Sequence, residues 1–281
     1  MAERSSDRET SDGIPVERDA ALDAVPGLVH GFYGRRGGHS RGPWASLNLS
    51  EKVGDDIDDV GRNWSDLGRS LGAIRLVQMD QVHGATVRIV TARGDVRSRA
   101  GECDGLVTRE PGVGLVVMTA DCVPILLVAP AHRVAMALHA GWRGTVAGIA
   151  AAALATAREA FGIPAEEWLV ALGPAIDGCC YEVTAEIGDE LTRKWGAMPD
   201  AWQPSGHRGQ LDLRLANMRI LARHGVPVDR IWRTGSCTAC ADARYFSHRR
   251  SGGRTGRQAS LIGFRLNSAL SPPDARGKLR A

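Results

Sequence analysis

GLVVMTADCVPILLVAPAHRVAMALHAGWRG, running from Gly114 to Gly144, is the stretch from which the rest of the chain can be placed. It holds three short β-rich runs, Gly114 to Met118, Val123 to Val128 and Val134 to Leu138, separated by two tight breaks. None of them alternates cleanly between apolar and polar residues, which is the pattern of strands buried on both faces. Thr119-Ala120-Asp121-Cys122 fills the first break, and His139 stands at the end of the third run. The glycine-punctuated turn Ala140-Gly141-Trp142-Arg143-Gly144 then opens a helical pattern. Val146, Ile149, Ala150, Ala153, Leu154, Ala157 and Phe161 trace one stripe, with Thr145 as the cap and Gly162 with Pro164 as the stop.

Working outward, Ile57, Val60, Trp64, Leu67 and Leu71 recur at spacings of three and four after Asp55 or Asp56, which predicts a capped helix. Strand-like patches around Leu76 and from Val87 to Val90 flank Gln81-Val82-His83-Gly84. Downstream, Trp168 to Leu172, Ile231-Trp232 and Leu261 to Phe264 read as strands, and Ala185 to Trp195 and Asp212 to His224 as helices. Strands and helices mix without a regular βαβ alternation, so an α+β layered fold is expected, in a single catalytic domain over residues 21–270. Residues 1–20 mix both charge signs without an apolar core and are expected to be a flexible tail, as are residues 271–281.

Thirty-five basic and 32 acidic residues among 281 leave a net charge of only +3, and 5% of the chain is aromatic. That balance builds no basic face, so nucleic acid is excluded as the expected partner. No run reaches the roughly 18 apolar residues of a membrane span, and the first twenty residues, which lack an apolar core, are not expected to act as a secretory signal. The expectation is a cytoplasmic protein whose six cysteines are reduced and free for metal binding or catalysis.

His83, Cys122 and His139 each sit beside small residues at the end of a strand-like run, where side chains can converge at one sheet edge. Two imidazoles and a thiolate suit a catalytic zinc, which takes three protein ligands and leaves a fourth position open. Spacing alone also allows two hydrogen-bonded structural histidines and a small buried cysteine.

QVHG at Gln81 to Gly84, TADCVPILL at Thr119 to Leu127, HAGWRG at His139 to Gly144 and LGPAIDGCCYEV at Leu172 to Val183 together resemble one known family. Its members, once called multicopper polyphenol oxidases or laccase-domain proteins, are now described as purine nucleoside phosphorylases. Segments around Asn48 and FSHRRSGGRTGRQASLIG near the C-terminus support the likeness, which runs from about Gly31 to Phe264. The resemblance implies zinc held by His83, Cys122 and His139. It implies an α/β sandwich with mixed sheets, similar to the cytotoxic necrotising factor catalytic domains. It also implies phosphorolysis of adenosine, inosine and methylthioadenosine, with adenosine deamination as a second reaction.

Among the neighbouring residues, Asp121 is a candidate proton carrier or a partner of the metal ligands, with a turn carboxylate as the alternative. Arg143, at a helix mouth, is a candidate phosphate-binding residue. Arg35, Arg36 and Asn48 in the early glycine-rich loop are further substrate candidates, and His248-Arg249-Arg250 with Arg254 and Arg257 either border an anionic substrate or form a solvated loop. Cys237 and Cys240 have CxxC spacing with no second pair after them, so a closed four-ligand metal site is not expected, and the purpose of vicinal Cys179-Cys180 does not follow from the residues. Three rival functions are a copper-dependent polyphenol oxidase, a hydrolase editing peptidoglycan precursors, and a zinc-stabilised binding protein without turnover. With eight histidines and no HxH pair, the chain is short of ligands for a full laccase and copper is the less favoured metal.

Overall fold

The three apolar runs of the central stretch all become strands, but they divide between two sheets. Val113–Thr119 lies in a seven-stranded sheet, whereas Val123–Ala129 and Val134–Ala140 are neighbours in a six-stranded one. The computed structural model describes residues 5–9, 13–72, 74–91 and 95–266. Within them the larger sheet runs Ser5–Glu9, Pro15–Asp19, Leu28–Tyr33, Gln258–Phe264, Val113–Thr119, Arg75–Asp80, Arg97–Glu102. The second runs Ile231–Arg233, Leu169–Leu172, Val123–Ala129, Val134–Ala140, Gly105–Thr108, Val87–Ile89. Both contain parallel and antiparallel pairs, so the α+β sandwich with mixed sheets is what the chain forms.

The pleat explains why these runs do not alternate. Successive side chains leave a strand on opposite faces, and here both faces are covered. On Val123–Ala129, Leu126 and Val128 point between the sheets, towards Leu115, Val117 and Ile262. Ile125 and Leu127 point the other way, onto Ile149, Ala153 and Ala157 of the Ile149–Phe161 helix. The far face of the seven-stranded sheet is covered by the Ile57–Leu71 helix through Val60, Trp64, Leu67 and Leu71. Asp56 caps that helix by accepting the Asp58 N–H at 2.8 Å. Truncating one fully buried leucine such as Leu126 in this arrangement would cost about 2–5 kcal/mol.

Several expectations change. The helix after His139 starts at Trp142, with Gly141 as cap, and not at Thr145. It breaks at Gly148, whose φ is 91°, and resumes as Ile149–Phe161. The break follows from packing: a Cβ on Gly148 would lie 2.8 Å from the Trp195 ring, whose Nε1 donates to Thr145 O and Val146 O at 3.1 Å. A third, small sheet of Glu182–Thr184, Arg208–Leu211 and Trp202–Ser205 was absent from the sequence reading.

Residues 15–19 are not a tail but the strand Pro15–Asp19, paired with Leu28–Tyr33. Val16 is buried in the core, Glu17 is buried against Tyr245 and Arg244, and Asp19 caps the next turn. Glu17 and Asp19 are buried and partnered, which a composition reading takes for solvation. The proposed tail at 271–281 lies outside the described residues. Among the described residues no helix is long and apolar enough to cross a membrane.

Candidate metal centre

The chain passes from one sheet to the other through Ala120-Asp121-Cys122, so Cys122 sits where an edge of the sandwich opens. His139 ends the strand that pairs with Val123–Ala129, and Gly141 follows it beside Cys122. His83 comes from the loop after Arg75–Asp80, a strand of the opposite sheet. One ligand atom from each of His83, Cys122 and His139 lies within 4.8 Å of the others. The two imidazoles stand edge to face with centroids 4.8 Å apart, and Cys122 Sγ is 4.0 Å from His83 Nε2. Three positions separated by 39 and 17 places in the chain thus meet at one point.

Asp104, fully buried and missed by the sequence reading, organises the meeting. Its Oδ1 lies 2.8 Å from His139 Nδ1 and accepts the His83 N–H at 3.0 Å, while Oδ2 accepts the N–H groups of Gly84 at 2.7 Å and Val82 at 3.2 Å. Burial would raise this carboxyl, but the hydrogen bonds from His139, Gly84 and His83 outweigh it and hold the group below its ordinary range. An ionised carboxylate only accepts, so His139 carries its proton on Nδ1 and turns Nε2 towards Cys122 and His83. The same contacts hold His83 in a left-handed conformation, with φ 61°. That conformation costs on the order of 1 kcal/mol or more.

The electrostatics suit a cation. Burial alone would raise the Cys122 thiol, yet His139 and His83 draw it down to about 6. Burial likewise opposes a charged His139, but Cys122 and then Asp104 push it up to about 9. Space is shaped for the same purpose: a Cβ on Gly141 would stand 3.0 Å from both Cys122 Sγ and His83 Cδ2. Two imidazoles and a thiolate, with a carboxylate behind one imidazole, fit a borderline-soft divalent ion such as zinc or copper.

The cluster forms the floor of a cleft of about 490 Å³, a size suited to a small organic substrate. Met79, Met118 and Tyr181 provide apolar wall, and Arg249 and Arg257 reach it from the C-terminal basic segment. Arg249 stacks on Tyr181 at 4.9 Å and donates to Glu182 O, and Arg257 donates to Thr255 O and Gly256 O. These partners are backbone carbonyls, so both guanidinium charges remain available to an anion. Thr119 Oγ1, buried in the lining, has no hydrogen-bond partner. Lys52 and Arg99 on the rim are tied to Asp80 and Glu51.

The other candidates divide between the cleft lining and its surroundings. Asp121 lines the cleft, but Thr238 Oγ1 and the Arg249 N–H occupy its two oxygens at 2.7 Å, so it braces the wall. Arg143 is exposed and stacks on Trp142 at 4.3 Å, outside the cleft lining. Asn48 is fully buried: its amide donates to Ser50 O and Asp55, and its oxygen accepts from the Ser50 and Arg257 N–H groups. Arg35 donates to Ala45 O and Asp242 O and Arg36 to Ala243 O, and neither is among the residues that line the cleft. In the basic run, His248, Arg249 and Arg257 border the cleft, whereas Arg250 binds Thr238 O, Ala239 O and Tyr245 O. Finally, the fold supplies the second cysteine pair that the sequence order withheld, because Cys179 and Cys180 meet Cys237 and Cys240.

The family model described as multi-copper polyphenol oxidoreductase laccase matches residues 29–265, and the chain belongs to that family. It is 41% identical over 249 residues to the purine nucleoside phosphorylase YlmD of Geobacillus stearothermophilus, covering 85% of this chain and 91% of that protein. It is 38% identical over 257 residues to a purine nucleoside phosphorylase of Deinococcus radiodurans, covering 91% and 95%. The crystal structure of the Geobacillus protein superimposes with a TM-score of 0.84 at 40% identity, over 89% of this chain and 96% of that one. That of Bacillus licheniformis YfiH gives 0.79 at 30% identity, over 87% and 98%.

Proposed function

We propose that the chain is a zinc-dependent purine nucleoside phosphorylase acting on adenosine, inosine and methylthioadenosine, with adenosine deamination as a second reaction. The observation that carries the reading is the convergence of Cys122 Sγ with the His83 and His139 imidazoles on the floor of a cleft that two arginines enter. The names of the relatives supply the substrate class.

In this reading His83, Cys122 and His139 hold the zinc, and Asp104 fixes the tautomer and direction of His139. Bound zinc supplies a Lewis acid and lowers the pKa of a coordinated water to about 7. Arg249 and Arg257 bind and orient the phosphate dianion. Tyr181, Met79 and Met118 take the apolar faces of the nucleoside and keep water from them. In phosphorolysis a phosphate oxygen bonds to the anomeric carbon while the carbon–nitrogen bond to the purine breaks. The electron pair leaves with the base, which takes up a proton. Holding both reactants against one wall removes much of the entropic part of that barrier.

The copper oxidase suggested by the family's description is less well supported. Among the described residues the potential metal clusters contain two histidines in one case and none in the other. A laccase mechanism needs several copper ions with many imidazole ligands. The deciding experiment is incubation of purified protein with each nucleoside, with and without phosphate. Phosphate-dependent release of free base and pentose 1-phosphate supports the reading, and inosine formed from adenosine without phosphate supports the second activity. Absence of both, in protein holding stoichiometric zinc, overturns it.

A further inference from the structure

Cys179 and Cys180 lie in the turn after the Leu169–Leu172 strand, and Cys237 and Cys240 in the turn after Ile231–Arg233, its parallel neighbour. A bridge between Ala175 and Cys237 continues that pairing and carries both turns to the same edge. All four sulfurs lie within 4.8 Å of one another. Cys180 and Cys240 are 3.3 Å apart, Cys179 and Cys240 3.7 Å, and Cys179 and Cys180 3.7 Å.

These separations are informative. Four thiolates around a tetrahedral ion at a metal–sulfur distance of about 2.3 Å are separated from each other by about 3.8 Å. A disulfide would use two of the sulfurs at about 2.05 Å and gives no reason for the other two to converge. All six cysteines of the chain are free. Cys237, the buried member, also accepts the Asp177 N–H at 3.4 Å, a contact that favours a charged sulfur. Cys179 and Cys240 are exposed, where reduced thiols without a ligand oxidise readily.

We propose that Cys179, Cys180, Cys237 and Cys240 form a second, closed site for a thiophilic tetrahedral divalent cation of the zinc class. Binding exchanges the thiol protons for the cation and transfers no electrons. With four protein ligands there is no open position, so the site is structural. Its place gives it a task. Tyr181, next to Cys180, lines the cleft, and Thr238, between Cys237 and Cys240, donates to Asp121 at 2.7 Å. The cation fastens two turns that together form the back of the catalytic wall. This site shares no ligand with the His83 cluster and stands or falls independently of the proposed reaction.

The test is metal stoichiometry on the full chain, using zinc and cobalt. Wild-type protein is expected to carry about two ions, and both Cys237→Ser/Cys240→Ser and His83→Ala about one each. Cobalt-loaded wild type and His83→Ala should both show the intense sulfur-to-cobalt absorption of a four-thiolate site, and the double serine variant should lose it. Should that variant fail to fold, iodoacetamide footprinting of wild type replaces it, with the four cysteines protected until a chelator is added. The proposal is overturned if wild type and the double variant carry the same number of ions. Alkylation indifferent to chelator, or a Cys180–Cys240 disulfide recovered from unreduced protein, overturns it equally.

Discussion

The fully buried Asp104 carboxylate lies 2.8 Å from His139 Nδ1. One carboxylate therefore sets the direction of one imidazole through its side chain and places the other through the His83 and Gly84 N–H groups. Asp104→Asn keeps the shape but removes the charge and can offer an N–H where acceptors are needed. Zinc affinity at the His83 site should fall about 10–100-fold, as for other partners of metal-bound histidines. Competition with a calibrated chelator measures this, and an unchanged affinity would remove Asp104 from the account.

Gly141→Ala tests the tightness of the cradle. Gly141 has φ −75°, which alanine adopts freely, so the added methyl acts through its contacts with Cys122 Sγ and His83 at 3.0 Å. The expected outcome is loss of metal and turnover with about 1–3 kcal/mol of destabilisation. Full metal content with normal stability would show that the ligands have room to move.

In metal-free protein the Cys122 thiol is held down to about 6, chiefly by His139 once the opposing effect of burial is overcome. A depressed value means that thiolate is present above about pH 6 and is lost below it. Alkylation of Cys122 should therefore proceed at pH 7, where a cysteine at its ordinary value of 9.0 is almost wholly protonated. His139→Gln should move the midpoint upward. A midpoint near 9 in the parent protein would contradict the thiolate–imidazolium pairing, which mass spectrometry of pH-staged samples can follow.

Arg257→Met removes a guanidinium from the cleft while keeping the length of the stem. A charge-assisted hydrogen bond is worth about 1.5–3 kcal/mol, so KM for phosphate should rise about 10–100-fold. Steady-state kinetics with varied phosphate decide this, and a change confined to the nucleoside KM would place the anion elsewhere.

Arg214 is a stability position, and it is not among the residues that line the cleft. It is 2% exposed, donates from Nε to Asp177 at 2.8 Å and from Nη1 to Gly235 O at 2.9 Å. Arg214→Ala leaves Asp177 with Arg233 as its remaining side-chain partner. Asp177 is only half-buried and stays paired, so the cost is that of the charge-assisted hydrogen bonds lost, about 1.5–3 kcal/mol, measurable by urea unfolding, and an unchanged stability would contradict the argument.

What the sequence determined by itself was local. The 3.6-residue spacing of Val60, Trp64, Leu67 and Leu71 marks the Ile57–Leu71 helix, and the unbroken apolar runs mark strands covered on both faces. Short motifs also singled out His83, Cys122 and His139, the three that converge. Tertiary structure alone decided the break at Gly148, set by a tryptophan 47 residues later, and the burial of the charged Glu17 and Asp19. It alone brought Asp104 to partners 21 and 35 residues away, and Cys179 and Cys180 to cysteines some sixty residues on. The reason is physical: periodicity records which face of an element is apolar, whereas ligands and hydrogen-bond partners at the ends of strands are joined only when the sheets pair and pack. Asn48 shows the converse, since a polar residue that looks free in the sequence has both its amide groups engaged by partners the fold brings to it.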